Sequence, residues 1–231
     1  VWDSASSDEY KEALLKARVL TEQRPEFSLL ETMRWTSKDS YFLLDYHLQR
    51  LSNSAEYFGF PVNLERIREQ LNAESSGFSG TSTRVRLLVA SDGTITIQST
   101  PLHEEKDNRA LKVALAREPV FSANIFLYHK TTYRKAYEEA KQSCPGCDDV
   151  ILWNERREIT ESSIANVVVR IGEDLFTPPV DSGLLAGTYR AFLLDGGKIR
   201  ERVLTISDLR QCSNIYLVNS VREFQEAELI A

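Results

Sequence analysis

Arg84 and Arg86 stand two residues apart in the run Arg84-Val85-Arg86-Leu87-Leu88-Val89. A strand of that composition puts both guanidiniums on one face. Two cations side by side require an anion, either a protein carboxylate or a carboxylate-bearing ligand. Lys130 stands in Tyr128-His129-Lys130-Thr131-Thr132, Arg50 in His47-Leu48-Gln49-Arg50-Leu51, and Glu161 in Ile159-Thr160-Glu161-Ser162. Taken singly these three are ordinary, since such side chains are usually solvated or ion-paired at a surface. A lysine desolvated in a cleft is different: its amine loses its proton more readily and attacks carbonyl carbons. Cys144-Pro145-Gly146-Cys147 places two thiols three apart. A structural zinc site needs four ligands, and neither a second Cys-x-x-Cys nor a paired-histidine motif is present. Pro-Gly is a turn signal, so the segment reads as a turn bearing two thiols, and no metal is expected.

These side chains need elements to hold them. Tyr10, Ala13, Leu14, Ala17 and Leu20 fall on one face of a helix over 8–22. A strand follows over 27–35, with Leu30, Thr32 and Arg34 on one face and Phe27, Leu29, Glu31 and Met33 on the other. A short strand at 40–44 leads to a helix over about 45–58, with Leu48, Leu51, Ala55 and Phe58 on its buried stripe, ended by Gly59 and Pro61. Leu64, Ile67 and Leu71 mark another helix, and 74–82 is Ser/Gly-rich loop. The segments 84–89 and 94–98 flank Asp92-Gly93 as a hairpin. After a strand at 111–115 the pattern lapses over 118–124, which predicts a linker. Beyond it come a helix over 131–142, strands at 150–153, 159 and 165–171, and a loop at 178–187. A helix at 189–194, strands at 199–204 and 214–218, and a short helix capped by Ser207 complete the chain. Mixed strands and helices in both halves predict an α/β (α+β) protein of two domains, 1–119 and 120–231, with a cleft between them.

Composition narrows the function classes. The chain has 231 residues, 42% apolar and 27% charged, with net charge −6. An acidic chain of this kind is not a nucleic-acid binder, which needs a concentrated basic surface. No apolar run approaches the ~20 residues of a membrane span. No signal-peptide pattern opens the sequence, and three cysteines suit a reducing compartment. A cytoplasmic protein is the expectation.

The downstream residues combine into a longer pattern. Ile159-Thr160-Glu161-Ser162-Ser163-Ile164-Ala165-Asn166-Val167 is followed by Phe176-Thr177-Pro178-Pro179, then by Gly183-Leu184-Leu185-Ala186-Gly187-Thr188-Tyr189-Arg190. This resembles the C-terminal signature of the class IV (fold type IV) aminotransferases, enzymes dependent on pyridoxal 5'-phosphate. Their pattern is a Thr/Ser-Glu with an Asn five residues later, Thr-Pro-Pro, and Gly-Leu-Leu-x-Gly-x-x-Arg. His129-Lys130-Thr131-Thr132 resembles the family's Schiff-base lysine segment, and His47-Leu48-Gln49-Arg50-Leu51 its His-x-x-Arg-Leu helix. The likeness runs over nearly the whole chain from about Phe27. It implies that Lys130 carries the cofactor and that Glu161 pairs with the pyridinium nitrogen. Arg50 and Ser220, with the backbone at Gly187, Thr188 and Tyr189, would hold the phosphate at a helix N-terminus. Tyr189 departs from the small hydroxyl residue of the branched-chain members, so only its backbone is expected to serve.

The opening Val1-Trp2-Asp3-Ser4 and Asp8-Glu9-Tyr10-Lys11-Glu12 resemble the closing segment of chorismate-utilising synthase domains. The likeness implies that 1–24 is a linker helix leaving such a domain, and that Val1 lies inside a longer protein. Within the class IV family, Phe27 to Trp35, Tyr57 to Pro61 and Tyr128 to Thr132 resemble domains fused to para-aminobenzoate synthase component I. That subgroup implies 4-amino-4-deoxychorismate lyase activity, with the elimination of pyruvate to give para-aminobenzoate for folate synthesis. Thr32 would then help protonate the leaving group, and Arg86, Arg84 and Arg134 would bind the dianionic substrate. Arg134 is expected one helical turn after Lys130. A branched-chain or D-amino acid aminotransferase is the alternative, because the cofactor residues are shared. A non-catalytic domain regulating a synthase is a third reading, against which the intact Lys130, Glu161 and Arg50 stand. The family relatives imply a homodimer.

Overall fold

A computed structural model describes residues 25–102 and 109–230. The expected helix at 8–22 and the linker 1–24 lie outside the described residues. The first layer is a four-stranded antiparallel sheet of order β2-β1-β3-β4. Its strands are β1 (Leu29–Thr36), β2 (Ser40–Tyr41), β3 (Ser82–Val89) and β4 (Ile95–Pro101). Helices α1 (Leu44–Phe58) and α2 (Leu64–Ser75) connect β2 to β3. On β1 the alternation puts Leu29, Glu31 and Met33 on the core face, and Leu48, Leu51, Ile67, Leu71 and Leu87 fill the space behind it. α1 stops at Gly59, whose φ of 71° is a left-handed C-cap.

The second sheet has eight strands in the order β10-β9-β8-β11-β12-β5-β6-β7. They are β5 (Leu111–Leu115), β6 (Asp149–Trp153), β7 (Ile159–Ser162), β8 (Asn166–Ile171), β9 (Asp174–Thr177), β10 (Arg200–Glu201), β11 (Asn214–Asn219) and β12 (Glu223–Leu229). A further pairing of β7 with β8 bends the sheet back on itself, barrel-like, around Val113, Ile151, Val167, Val169 and Leu217. α3 (Lys135–Gln142), α4 (Thr188–Asp195) and α5 (Ile206–Gln211) pack outside it.

Several expectations change. β5 runs parallel to both β6 and β12 in the second sheet, so a division at 119/120 would cut that strand from its partners. The change of sheet falls between Pro101 and Leu111. Thr131 does not begin a helix. Instead Thr131 bridges antiparallel to Leu29 at the start of β1: the Leu30 N–H donates to the Lys130 carbonyl at 2.9 Å, and the Thr132 N–H to that of Ser28 at 2.9 Å. Arg134 is therefore the residue before α3 rather than one turn past Lys130. The cap of α5 is Thr205, in a reciprocal box with Asp208, and not Ser207. The 199–204 strand shrinks to Arg200–Glu201, and the strand β12 was not foreseen.

No helix among the described residues is long and apolar enough to cross a membrane. The three thiols are unpaired, with Cys147 Sγ donating to the Cys144 carbonyl at 2.8 Å across the turn.

Leu87 is wholly buried between the sheet and the helices. Leu87→Ala is expected to cost about 2–5 kcal/mol, read as a lower urea midpoint at unchanged slope. A loss under about 1 kcal/mol would contradict the packing described.

Candidate functional site

The register of β1 decides where Lys130 points. Leu29 faces Thr131, so Leu30 faces Lys130 across the pairing. Paired residues share a face. Leu29 and Thr131 turn to the core; Leu30, Thr32 and Lys130 turn to a cavity of about 530 Å³ between the two sheets. Burial is the largest influence on the Lys130 amine, and with the nearby charges of Arg50 and Arg134 it brings the pKa down to about 8, against the opposing pull of Glu31 and Glu161. Among the described residues Nζ has no hydrogen-bond partner.

Glu161 lies on β7, where the sheet closes against Asn166 of β8. Its Oε1 accepts from the Tyr137 hydroxyl at 2.6 Å and from the Leu185 N–H at 3.0 Å; among the described residues its Oε2 accepts only from Asn166 Nδ2, at 3.2 Å. Burial pushes this carboxyl up to about 7, while Tyr137, the Leu185 N–H, Lys130 and Arg134 favour its charge. An acid with an open acceptor site and a nearly balanced proton can share that proton with a ring nitrogen.

The same cavity holds an anion cup. α4 begins at Thr188, and no side chain caps its first turn, so its leading N–H groups face outward with the helix dipole behind them. Arg50 reaches the same corner, donating from Nη1 to the Ala186 carbonyl at 3.2 Å. Ser220 adds a hydroxyl, which donates to the Thr32 carbonyl at 3.3 Å. Gly187 is needed for contact as well as for freedom: a Cβ there would lie 1.9 Å from Asn166 Oδ1. Asn166 Nδ2 also donates to the Leu185 carbonyl at 2.9 Å, so one amide ties the Gly187 loop to Glu161. Arg190 pins the same loop from below, donating to the Pro178 carbonyl at 2.7 Å and to Glu201 at 2.5 Å.

The sheet face that carries Thr32 is also cationic. Arg84 and Arg86 pair with Arg34 and Thr32 across β1, and both line the cavity. Among the described residues neither has an ion-pair or hydrogen-bond partner for its guanidinium. Arg134 stacks on the Tyr137 ring, 4.3 Å from its centroid, and donates to the Ser163 carbonyl.

The cavity thus gathers Lys130, Thr32, Glu161, Arg50, Gly187 and Thr188, and with them Ser220, Arg84, Arg86 and Arg134. Tyr189 is the exception. Its side chain turns away among Phe42, Phe192 and Phe224, and its hydroxyl donates to Glu223 at 3.2 Å. Sequence reasoning missed Glu31. It is 1% exposed, accepts from Arg50 Nε at 2.9 Å and Nη2 at 2.6 Å, and meets His47 Nδ1 at 2.6 Å. Burial alone would raise its pKa, but Arg50 and His47 outweigh this and hold it down to about 2. An acid on the Leu29/Met33 face was the available signal, because a buried carboxylate demands partners. Tyr137 and Asn166, which hold Glu161, were also unassigned. Among the described residues no cluster of three or more His, Cys, Asp or Glu side chains could bind a metal.

The amine, acid and anion cup around one cavity are the donor set that a phosphorylated pyridine aldehyde requires, and known proteins of similar sequence share the frame. A protein of Schizosaccharomyces pombe provisionally named an aminodeoxychorismate lyase is 30% identical over 213 residues, spanning 89% of this chain and 90% of its own. One from Thermotoga maritima, provisionally named a branched-chain-amino-acid aminotransferase, is 26% identical over 212 residues, 87% of this chain and 76% of its own. The crystal structure of a provisionally assigned amino-acid aminotransferase from Mesorhizobium loti superposes with a TM-score of 0.84 at 37% identity, over 89% of this chain and 100% of that one. The profile of the amino-transferase class IV family matches residues 28–230. The chain belongs to that family, the fold type IV enzymes dependent on pyridoxal phosphate.

Proposed function

We propose that this protein is a 4-amino-4-deoxychorismate lyase, in which Lys130 handles the proton and Arg84, Arg86 and Arg134 bind the substrate's two carboxylates. The observation that carries this reading is the pair of unpartnered guanidiniums lining the same cavity as a desolvated lysine. Unpaired cations facing a cavity favour a ligand with more than one carboxylate. The 30% identity to the fission-yeast protein points the same way.

The residues present fit pyridoxal phosphate. Lys130 offers the amine, Glu161 Oε2 an open acceptor for the ring nitrogen, and the start of α4 with Arg50 and Ser220 the phosphate cup. Bound there, the cofactor supplies an electron sink for the pair released when a substrate C–H bond breaks. The neutral Lys130 amine takes the proton from the ring carbon that bears the substrate's amine. Thr32 lies on the same face of β1 as Leu30, which faces Lys130, and is paired with Arg86. From there its hydroxyl can give a proton to the departing enolpyruvyl group as the C–O bond breaks. Pyruvate leaves, and the six-membered ring becomes aromatic as para-aminobenzoate, a precursor for folate. Glu161 stays fixed by Tyr137, Leu185 and Asn166 throughout.

The proposal extends to a cytoplasmic homodimer in which the chain is attached to a chorismate-binding synthase domain. The likeness of Val1 to Glu12 to the end of such domains supports the attachment. An aminotransferase is the second reading, favoured by the 37% identity to the Mesorhizobium loti protein.

Supplied with aminodeoxychorismate, the holoenzyme should release pyruvate and para-aminobenzoate in equal amounts. A keto acid made from an added amino acid, without pyruvate, would overturn the lyase reading. Thr32→Val should lower kcat by roughly 10²-fold or more with KM little changed; an unaltered kcat removes Thr32 from the chemistry. Uptake of added pyridoxal phosphate should speed up about tenfold per pH unit below pH 8 and level off above it, because only the neutral amine reacts. A rate still climbing toward pH 10 contradicts the desolvated site. Gly187→Ala should weaken cofactor affinity at least about tenfold by displacing Asn166; unchanged affinity contradicts the close approach.

A further inference from the structure

The cofactor residues leave the buried ring of His47 without a task. His47 is wholly buried on α1, one turn before Arg50, with both ring nitrogens engaged. Nδ1 meets Glu31 Oε2 at 2.6 Å, and Nε2 meets the Thr188 hydroxyl at 3.4 Å. Thr188 is the first residue of α4, so the ring bridges a core carboxylate to the mouth of the anion cup. We propose that His47 is a positioning residue that takes up a proton when a phosphate enters the cup, and so turns the Thr188 hydroxyl from a donor toward the ring into a donor toward the anion. The proposal rests on the cofactor reading above.

The logic is one of donors and acceptors. Glu31 is ionised and can only accept, so Nδ1 carries a hydrogen. With a neutral ring, Nε2 has a lone pair and takes the Thr188 O–H. The hydroxyl then shows its own lone pairs to the cup, which repels an anion. If Nε2 gains a proton from solvent it donates to Thr188 Oγ1, and the O–H is released to the phosphate. The charged groups around the ring are Glu31 on β1, Arg50 on α1 and Lys130 on the segment beside β1. Burial, Arg50 and Lys130 disfavour the imidazolium, while Glu31 favours it. A dianion beside Arg50 offsets the first of those cations. Cofactor entry therefore shifts the balance toward a protonated ring, with one proton taken from solvent.

The chain has three histidines, so their ring nitrogens can be resolved by ¹⁵N NMR and assigned with His129→Gln and His103→Gln. The apoprotein near pH 7 is titrated with pyridoxal phosphate and, separately, with sulfate, a dianion that does not itself titrate there. Nε2 of His47 is expected to pass from unprotonated to protonated with either anion. Sulfate affinity should fall with rising pH more steeply in the wild type than in His47→Gln, by up to about tenfold per unit. A ring that stays neutral under bound pyridoxal phosphate or bound sulfate overturns the relay and leaves the cofactor reading intact. Equal pH slopes in the two proteins do the same. Sulfate binding without pyridoxal phosphate binding overturns the cofactor reading; failure of both anions to bind overturns both.

Discussion

A single backbone pairing, between Lys130 and the start of β1, governs the rest. β2 covers only the far end of β1, at Trp35 and Thr36, which leaves the edge near Leu30 open. The chain returns from the second sheet and fills that edge with residues 130–132. Two hydrogen bonds there convert a surface amine into one enclosed between sheets. Enclosing a cation is costly unless opposite charge is near. Glu31 and Glu161 supply that charge, yet not enough to restore an ordinary lysine, so the balance settles on a pKa of about 8.

β1 also gathers the other parts of the site. Glu31 holds Arg50 in a two-point fork, the Thr32 carbonyl takes the Ser220 hydroxyl, and Arg34 pairs with Glu223 at 2.8 Å beside the end of β11. Adjacent residues of one strand thus reach α1 and the second sheet in turn. The Gly187 loop closes the assembly, since Leu185 and Ala186 touch Glu161 and Arg50 respectively. Acid, amine and anion cup are therefore mechanically coupled: a shift of that loop moves both ends of the cavity at once.

Much of this was legible before the structure. The alternation along β1, the hairpin at Asp92-Gly93 and the stripe of Leu48, Leu51 and Ala55 on α1 are local patterns, and they appear where the periodicity places them. The family resemblance carried by Glu161 through Gly187 to Arg190 implied one site, and the structure brings Glu161 and Gly187 to the cavity with Lys130. What was not legible depended on distant partners. Thr131 and Thr132 are β-branched and suit a strand, but only the open edge of β1 decides between strand and helix there. β12 reads Glu-Phe-Gln-Glu-Ala-Glu-Leu, too polar to announce a strand enclosed between β11 and β5. Glu31 looked like one acid in an apolar strand because its partners lie on a helix sixteen and nineteen residues away. Arg84 and Arg86 showed their shared face at once, while their lack of a protein partner appears only in three dimensions.

Whether the enclosed amine is the one that meets the cofactor can be read directly. The apoprotein is loaded with pyridoxal phosphate, reduced with borohydride, digested, and mapped by mass spectrometry. A phosphopyridoxyl group on Lys130, and on no other lysine at one equivalent of cofactor, is expected. A label on an exposed residue such as Lys135, or none on Lys130, would contradict a site built around the desolvated amine.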